Sequence, residues 1–158
     1  MTALASKPVA TRDLILTRMI NAPVDLVFRM WTEPKHMAQW WGPHGFTNPV
    51  CELDVRPGGA MRIDMTGPDG TVYPMVGTFQ EVVVGKRLVF MAIAQDHDGN
   101  PLLESLTTVT FEDLGSKTLL TVDARAVGLA PIAPQMLAGM EAGWVQTLER
   151  LEAFTVKQ

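Results

Sequence analysis

The chain has 158 residues, 13 of them basic and 17 acidic, for a net charge of −4. That length suits one domain with a core of its own, and 47% apolar against 19% charged residues excludes a disordered chain. The acidic balance, without a run of four or more Lys and Arg, excludes nucleic acid as the main partner, because phosphate binding needs a clustered positive field.

Residues 1–11 carry no periodicity and read as a flexible N-terminal segment; residues 12–158 read as a single domain. Leu14 to Ile20 has a strand pattern that Asn21-Ala22-Pro23 stops. Asn21 suits an N-cap, and Val24, Val27, Phe28 and Trp31 follow at helical spacing. Thr32-Glu33-Pro34 repeats the cap-then-proline signal, so a second short helix is predicted from about Glu33 to Gln39. Trp40-Trp41-Gly42-Pro43-His44-Gly45 has loop chemistry, and a strand is expected from Asn48 to Val55. Met61, Ile63 and Met65 alternate with Arg62, Asp64 and Thr66, giving a half-buried strand that ends at a Pro68-Asp69-Gly70 turn.

Further strands are predicted over Tyr73–Val84, Arg87–Ala94, Leu103–Glu112 and Lys117–Ala126. Their tight turns imply an antiparallel meander. Beyond Gly128 the period changes. Met136/Leu137, Met140, Trp144, Leu148 and Leu151 recur at three- and four-residue steps, predicting one helix from about Ala133 to Phe154, ~33 Å long.

The implied class is α+β. A curved antiparallel sheet of about six to seven strands wraps around a long C-terminal helix, with two short helices after the first strand. Gly58, Gly59, Gly77 and Gly85 are candidate bends, and Gly143 suggests close approach of the helix backbone to its neighbours. A bent sheet and a straight helix leave a gap, expected to be faced by Met61, Met75, Phe79, Phe90, Met140 and Trp144. Ile63, Val109 and Leu148 extend the same wall. Trp40, Trp41 and Tyr73 complete the predicted ligand-binding cavity, one of the two tryptophans standing at its entrance. Ten methionines are many for this length, and either adaptable core packing or an apolar cavity uses them.

Asn21-Ala22-Pro23 with Val27-Phe28, the Trp40-Trp41-Gly42-Pro43 loop, Asp54-Val55-Arg56-Pro57-Gly58-Gly59, Pro68-Asp69-Gly70 and the late Gly143-Trp144 occur together in this order. Over roughly residues 12–155 the chain resembles the START-like (SRPBCC) superfamily, in the branch named after the activator of the heat-shock protein 90 ATPase. The resemblance implies a helix-grip fold with a hydrophobic cavity between sheet and helix. It also implies a stress-response setting and a chaperone partner, a role of larger members with a further domain. It implies no single reaction.

Reactive groups are sparse. Cys51 is the only cysteine, so neither an intrachain disulfide nor a thiolate zinc cluster can form, and its strand setting reads as inert packing. His36, His44 and His97 lack metal-site spacing; His44, in the tryptophan loop, is the one nearest a cavity mouth. No nucleophile elbow and no phosphate-cradling glycine loop occur. Arg62 with Asp64, and Asp123 with Arg125, either face the cavity as acid/base groups or form ion pairs across the outer sheet face. No catalytic set, cofactor or metal is therefore expected. With no ~20-residue apolar span and no secretory segment after Met1, a cytoplasmic protein without a membrane span is expected. The expected function is binding of a small apolar or aromatic molecule. The alternatives are a cofactor-free cyclase or dehydratase using Tyr73, His44, Arg62 or Asp64, and a co-chaperone-like interaction protein. The oligomeric state stays open, a homodimer included.

Overall fold

Seven strands and four helices make up residues 10–158, the part of the chain that a computed structural model describes. In chain order they are β1 (Ala10–Ile20), α1 (Val24–Thr32), α2 (Pro34–Trp40), β2 (Thr47–Leu53), β3 (Ala60–Thr66), β4 (Val72–Val83), β5 (Arg87–Gln95), β6 (Pro101–Asp113), β7 (Thr118–Gly128), α3 (Ala133–Ala138) and α4 (Met140–Thr155). The strands form one antiparallel sheet in the order β1-β7-β6-β5-β4-β3-β2. Tight turns make β2 to β7 a meander, while β1 pairs with β7 along its whole length. Helices α1 and α2 therefore carry the chain from one edge of the sheet to the other. This is the helix-grip α+β architecture expected. Of the predicted flexible segment, residues 1–9 lie outside the described residues. Ala10 and Thr11 already belong to β1, paired with Gly128 and Val127.

Three local expectations are corrected. Asn21 does not cap α1: Pro23 holds that position without a side-chain bond, and its carbonyl accepts the Leu26 and Val27 N–H groups at 3.1 Å. The single C-terminal helix is two, broken at Gly139, whose N–H is shared between the Gln135 and Met136 carbonyls at 3.3 and 3.2 Å. The continuous part, α4, spans about 24 Å. Finally, Gly143 does not permit a close backbone approach, because an added Cβ would meet nothing nearer than Pro43 Cγ at 3.9 Å. Gly77 does serve that purpose: a Cβ there would lie 2.0 Å from the Met91 carbonyl oxygen on β5.

The core lies between the sheet and α4. Leu148 and Leu151 of α4 are fully buried with Ile63, Phe79, Leu88, Val109 and Leu120 from the sheet. Truncating such a side chain costs about 2–5 kcal/mol. Aromatic edges tie the helices in: Trp31 meets Trp40 at 4.7 Å, Phe28 meets Phe111 at 5.2 Å, and Trp41 meets Trp144 at 5.5 Å between ring centroids. No helix among the described residues is long and apolar enough to cross a membrane.

Candidate functional site

Packing is solid toward the C-terminal half of α4 and hollow toward its N-terminal half. A cleft of about 250 Å³ opens there, roofed by Met136 of α3 and Met140, Gly143, Trp144 and Thr147 of α4. Its floor is inward-facing sheet: Met65 on β3, Met75 on β4, Phe90 and Ala92 on β5, and Leu103, Ser105 and Thr107 on β6. The Trp41-Gly42-Pro43 turn closes one side. Two local features keep the space open. Gly143 contributes no side chain on the roof, and Ala92 contributes only a methyl group on the floor.

Of the residues expected at a cavity, Trp41, Met75, Phe90, Met140 and Trp144 stand around the cleft. The structure does not bring the others to it. Met61, Ile63, Phe79, Val109 and Leu148 face the same interior but further along the strands and helix, where side chains fill the space. Trp40 meets Trp41 edge to face at 5.8 Å between ring centroids but does not reach the cleft, and its Nε1 donates to the Met30 carbonyl at 3.0 Å. Tyr73 is 36% exposed and tilts against Phe46 at 6.0 Å. Sequence reasoning missed Ser105 and Thr107, although both sit at inward positions of β6 in alternation with Leu106 and Thr108. It also missed Met65, Met136 and Leu103.

The turn that closes the cleft is held by the helix that roofs it. Arg150 of α4 donates through one terminal nitrogen to the Trp41, Gly42 and Pro43 carbonyls at 2.9, 2.9 and 3.1 Å, and through the other to Gln39 O at 3.0 Å. It thus serves orphan carbonyls at the end of α2. Burial draws the Arg150 pKa below the ordinary arginine value. Asn48 Nδ2 adds donors to Trp41 O at 2.9 Å and Ala38 O at 3.1 Å. At the opposite corner Arg12 of β1 donates to Leu137 O at 2.8 Å and pairs with Glu141 at 3.1 Å, spanning the α3–α4 break.

None of the residues lining the cleft is ionisable. His44 stays outside, exposed, with Nε2 3.0 Å from Glu149 Oε1. Arg62 pairs with Asp64 at 3.2 Å and Arg125 with Asp123 at 3.4 Å on the outer sheet face. Those pairs run along one strand, between residues two apart, rather than across strands as expected. No three His, Cys, Asp or Glu side chains gather as a metal site among the described residues. The Cys51 thiol faces inward beside Ile63, and its pKa is raised to about 11, chiefly by burial and secondarily by Glu52.

The family model for "Activator of Hsp90 ATPase homolog 1-like protein" matches residues 21–155. The chain belongs to that family. Solved structures similar to this chain agree in fold. An uncharacterized protein from Rhizobium leguminosarum is 27% identical, with a TM-score of 0.79 over 94% of this chain and 97% of its own. The AHSA1 protein from Silicibacter pomeroyi is 26% identical, with a TM-score of 0.76 over 90% and 96%. A protein from Arthrobacter aurescens is 25% identical, with a TM-score of 0.78 over 96% and 94%. No curated protein matches the sequence significantly. The family and the shared fold support a ligand-binding domain in the general sense.

Proposed function

We propose that the protein binds a small apolar molecule in the cleft between β3–β6 and the N-terminal half of α4. The observation that carries this reading is the wall itself: about 250 Å³ bounded by Met, Trp, Phe, Leu and Ala side chains with no ionisable group. Apolar concave sites with a few polar groups are the usual form of small-molecule pockets. The reading includes a cytoplasmic setting, which the lone Cys51 suits.

Catalysis is the weaker reading on geometry. Acid/base work needs two polar groups within hydrogen-bond reach of one substrate atom. Arg62 and Asp64 pair only with each other on the outer sheet face, and Tyr73 and His44 lie outside the cleft, Tyr73 against Phe46 and His44 beside Glu149. A chaperone partner draws on the family description, and no surface feature described above adds to it.

The test is a thermal-shift and intrinsic-fluorescence screen of neutral apolar compounds, because Trp41 and Trp144 both border the cleft. Saturable binding that raises Tm and changes tryptophan emission supports the reading. Failure of every compound while the folded protein stimulates a chaperone ATPase would replace it with the interaction reading.

A further inference from the structure

We infer that the protein carries a second site, separate from the apolar cleft, where the open edge of the Arg150 guanidinium and the Asn48 amide bind a small hydroxycarboxylate. A cleft of about 260 Å³ lies there, between Ala38 and Gln39 at the end of α2, Phe46, Thr47 and Asn48 at the start of β2, and Arg150 of α4. It shares no lining residue with the apolar cleft, so the inference stands or falls apart from the binding reading above.

Arg150 is the one ionisable residue on this wall. A guanidinium has five N–H donors. Nη1 is occupied by the Trp41, Gly42 and Pro43 carbonyls, and Nη2 makes one bond, to Gln39 O. Nε–H and one Nη2–H therefore have no acceptor among the described residues. No ion pair among the described residues includes Arg150, and its neighbour Glu149 turns to His44 instead. The half-buried charge is offset only by carbonyl dipoles. Burial lowers the Arg150 pKa, and no acidic neighbour raises it again.

Asn48 supplies the second, independent observation. It is 7% exposed, and its Nδ2 gives both donors to Ala38 O and Trp41 O. Those bonds fix the amide, because the flipped form would set its oxygen against two carbonyl oxygens. Oδ1 is buried and accepts nothing. The other such atom among the described residues, Trp31 Nε1, belongs to the packed core.

The wall thus offers a cationic donor edge beside an acceptor that needs a donor. A carboxylate is planar and matches a guanidinium edge, and an adjacent hydroxyl supplies the proton for Oδ1. A phosphate dianion would bring a second charge with no second cation to meet it. A neutral amide would leave the Arg150 charge unmatched.

The experiment follows the Arg150 Nε–H and Asn48 Nδ2 signals of the nitrogen-labelled full chain at neutral pH and constant ionic strength. The probes are lactate, propionate, lactamide and inorganic phosphate, repeated on Gln39→Glu with its unfolding midpoint recorded. Gln39→Glu keeps the main-chain carbonyl that Arg150 holds but sets a carboxylate on the same wall. The expected result is saturable lactate binding that shifts both signals, about fivefold tighter than propionate and at least about tenfold tighter than lactamide. Gln39→Glu should weaken lactate at least about tenfold without lowering the midpoint. Lactamide or phosphate binding as tightly as lactate overturns the inference, as does undiminished lactate binding in folded Gln39→Glu. Propionate matching lactate also overturns it, because Asn48 then plays no part. So does the absence of any saturable shift at Arg150.

Discussion

Arg150 Nη1 lies 2.9 Å from the Trp41 carbonyl oxygen, and through that bond α4 fixes the turn that forms one side of its own cleft. The same guanidinium holds Gln39, Gly42 and Pro43, so one side chain anchors the end of α2 and the start of the turn. A lysine presents a point charge and cannot reproduce that fork. Arg150→Ala should lower stability by about 2 kcal/mol, as expected when charge-assisted bonds to partly buried carbonyls are lost. It should also weaken binding in the cleft by displacing Trp41. Arg150→Lys should recover less than half of either loss. Chemical denaturation and probe titration measure both.

Gly143 separates fold from site. A Cβ there has ordinary van der Waals room, with Pro43 Cγ at 3.9 Å, and alanine is better than glycine in a helix interior by about 1 kcal/mol. Gly143→Ala should raise Tm while reducing affinity for ring-sized probes, because the methyl group enters the space the ligand needs. Opposite signs in the two measurements are the expected signature.

The α3–α4 corner depends on Arg12. Its bond to Leu137 O and its pair with Glu141 bridge the break at Gly139, between cleft residues Met136 and Met140. Both partners of the ion pair are substantially exposed, so that pair contributes little by itself. Arg12→Ala should accelerate amide hydrogen exchange over residues 136–143 with a stability loss of about 1 kcal/mol. Glu141→Gln should produce a much smaller change in exchange. The difference isolates the carbonyl bond from the salt bridge.

Cys51 gives a pH prediction. Burial lifts the folded thiol to about 11 from 9.0, so the folded state keeps a proton that the unfolded chain releases first. The stabilisation is full below about pH 9 and is lost as pH rises through about 11. Stability should therefore fall over that interval, and fall less steeply in Cys51→Ala. At pH 8 a disulfide reagent should modify the folded thiol at least about a hundredfold more slowly than the denatured one.

Much of this was legible from alternation. Period-two patterns over β3 to β7 specify which face points inward, and the turn residues between them specify a meander. Depth along a strand is a different matter. Met61 and Met65 lie on the same face of one strand, yet Met61 packs solid and Met65 borders the hollow, because roofing side chains are missing only over one end of the sheet. Trp40 and Trp41 touch, with ring centroids 5.8 Å apart, yet α2 ends between them and only Trp41 borders the cleft. The break at Gly139 was hidden because the three- and four-residue spacing continues across it. Arg150 stayed hidden because its partners are main-chain carbonyls more than a hundred residues away, which leave no trace in charge patterning.

The most direct check on a ligand-accepting hollow is a methyl-labelled methionine spectrum of the protein titrated with 2-naphthol. Met65, Met75, Met136 and Met140 border the cleft, whereas Met30, Met37 and Met61 are buried in the packed core. The account predicts saturable shifts at the first four methyl groups, with the core three nearly still. Shifts confined to Met19 and Met91 on the outer sheet face, or no shift at ligand saturation, would contradict it.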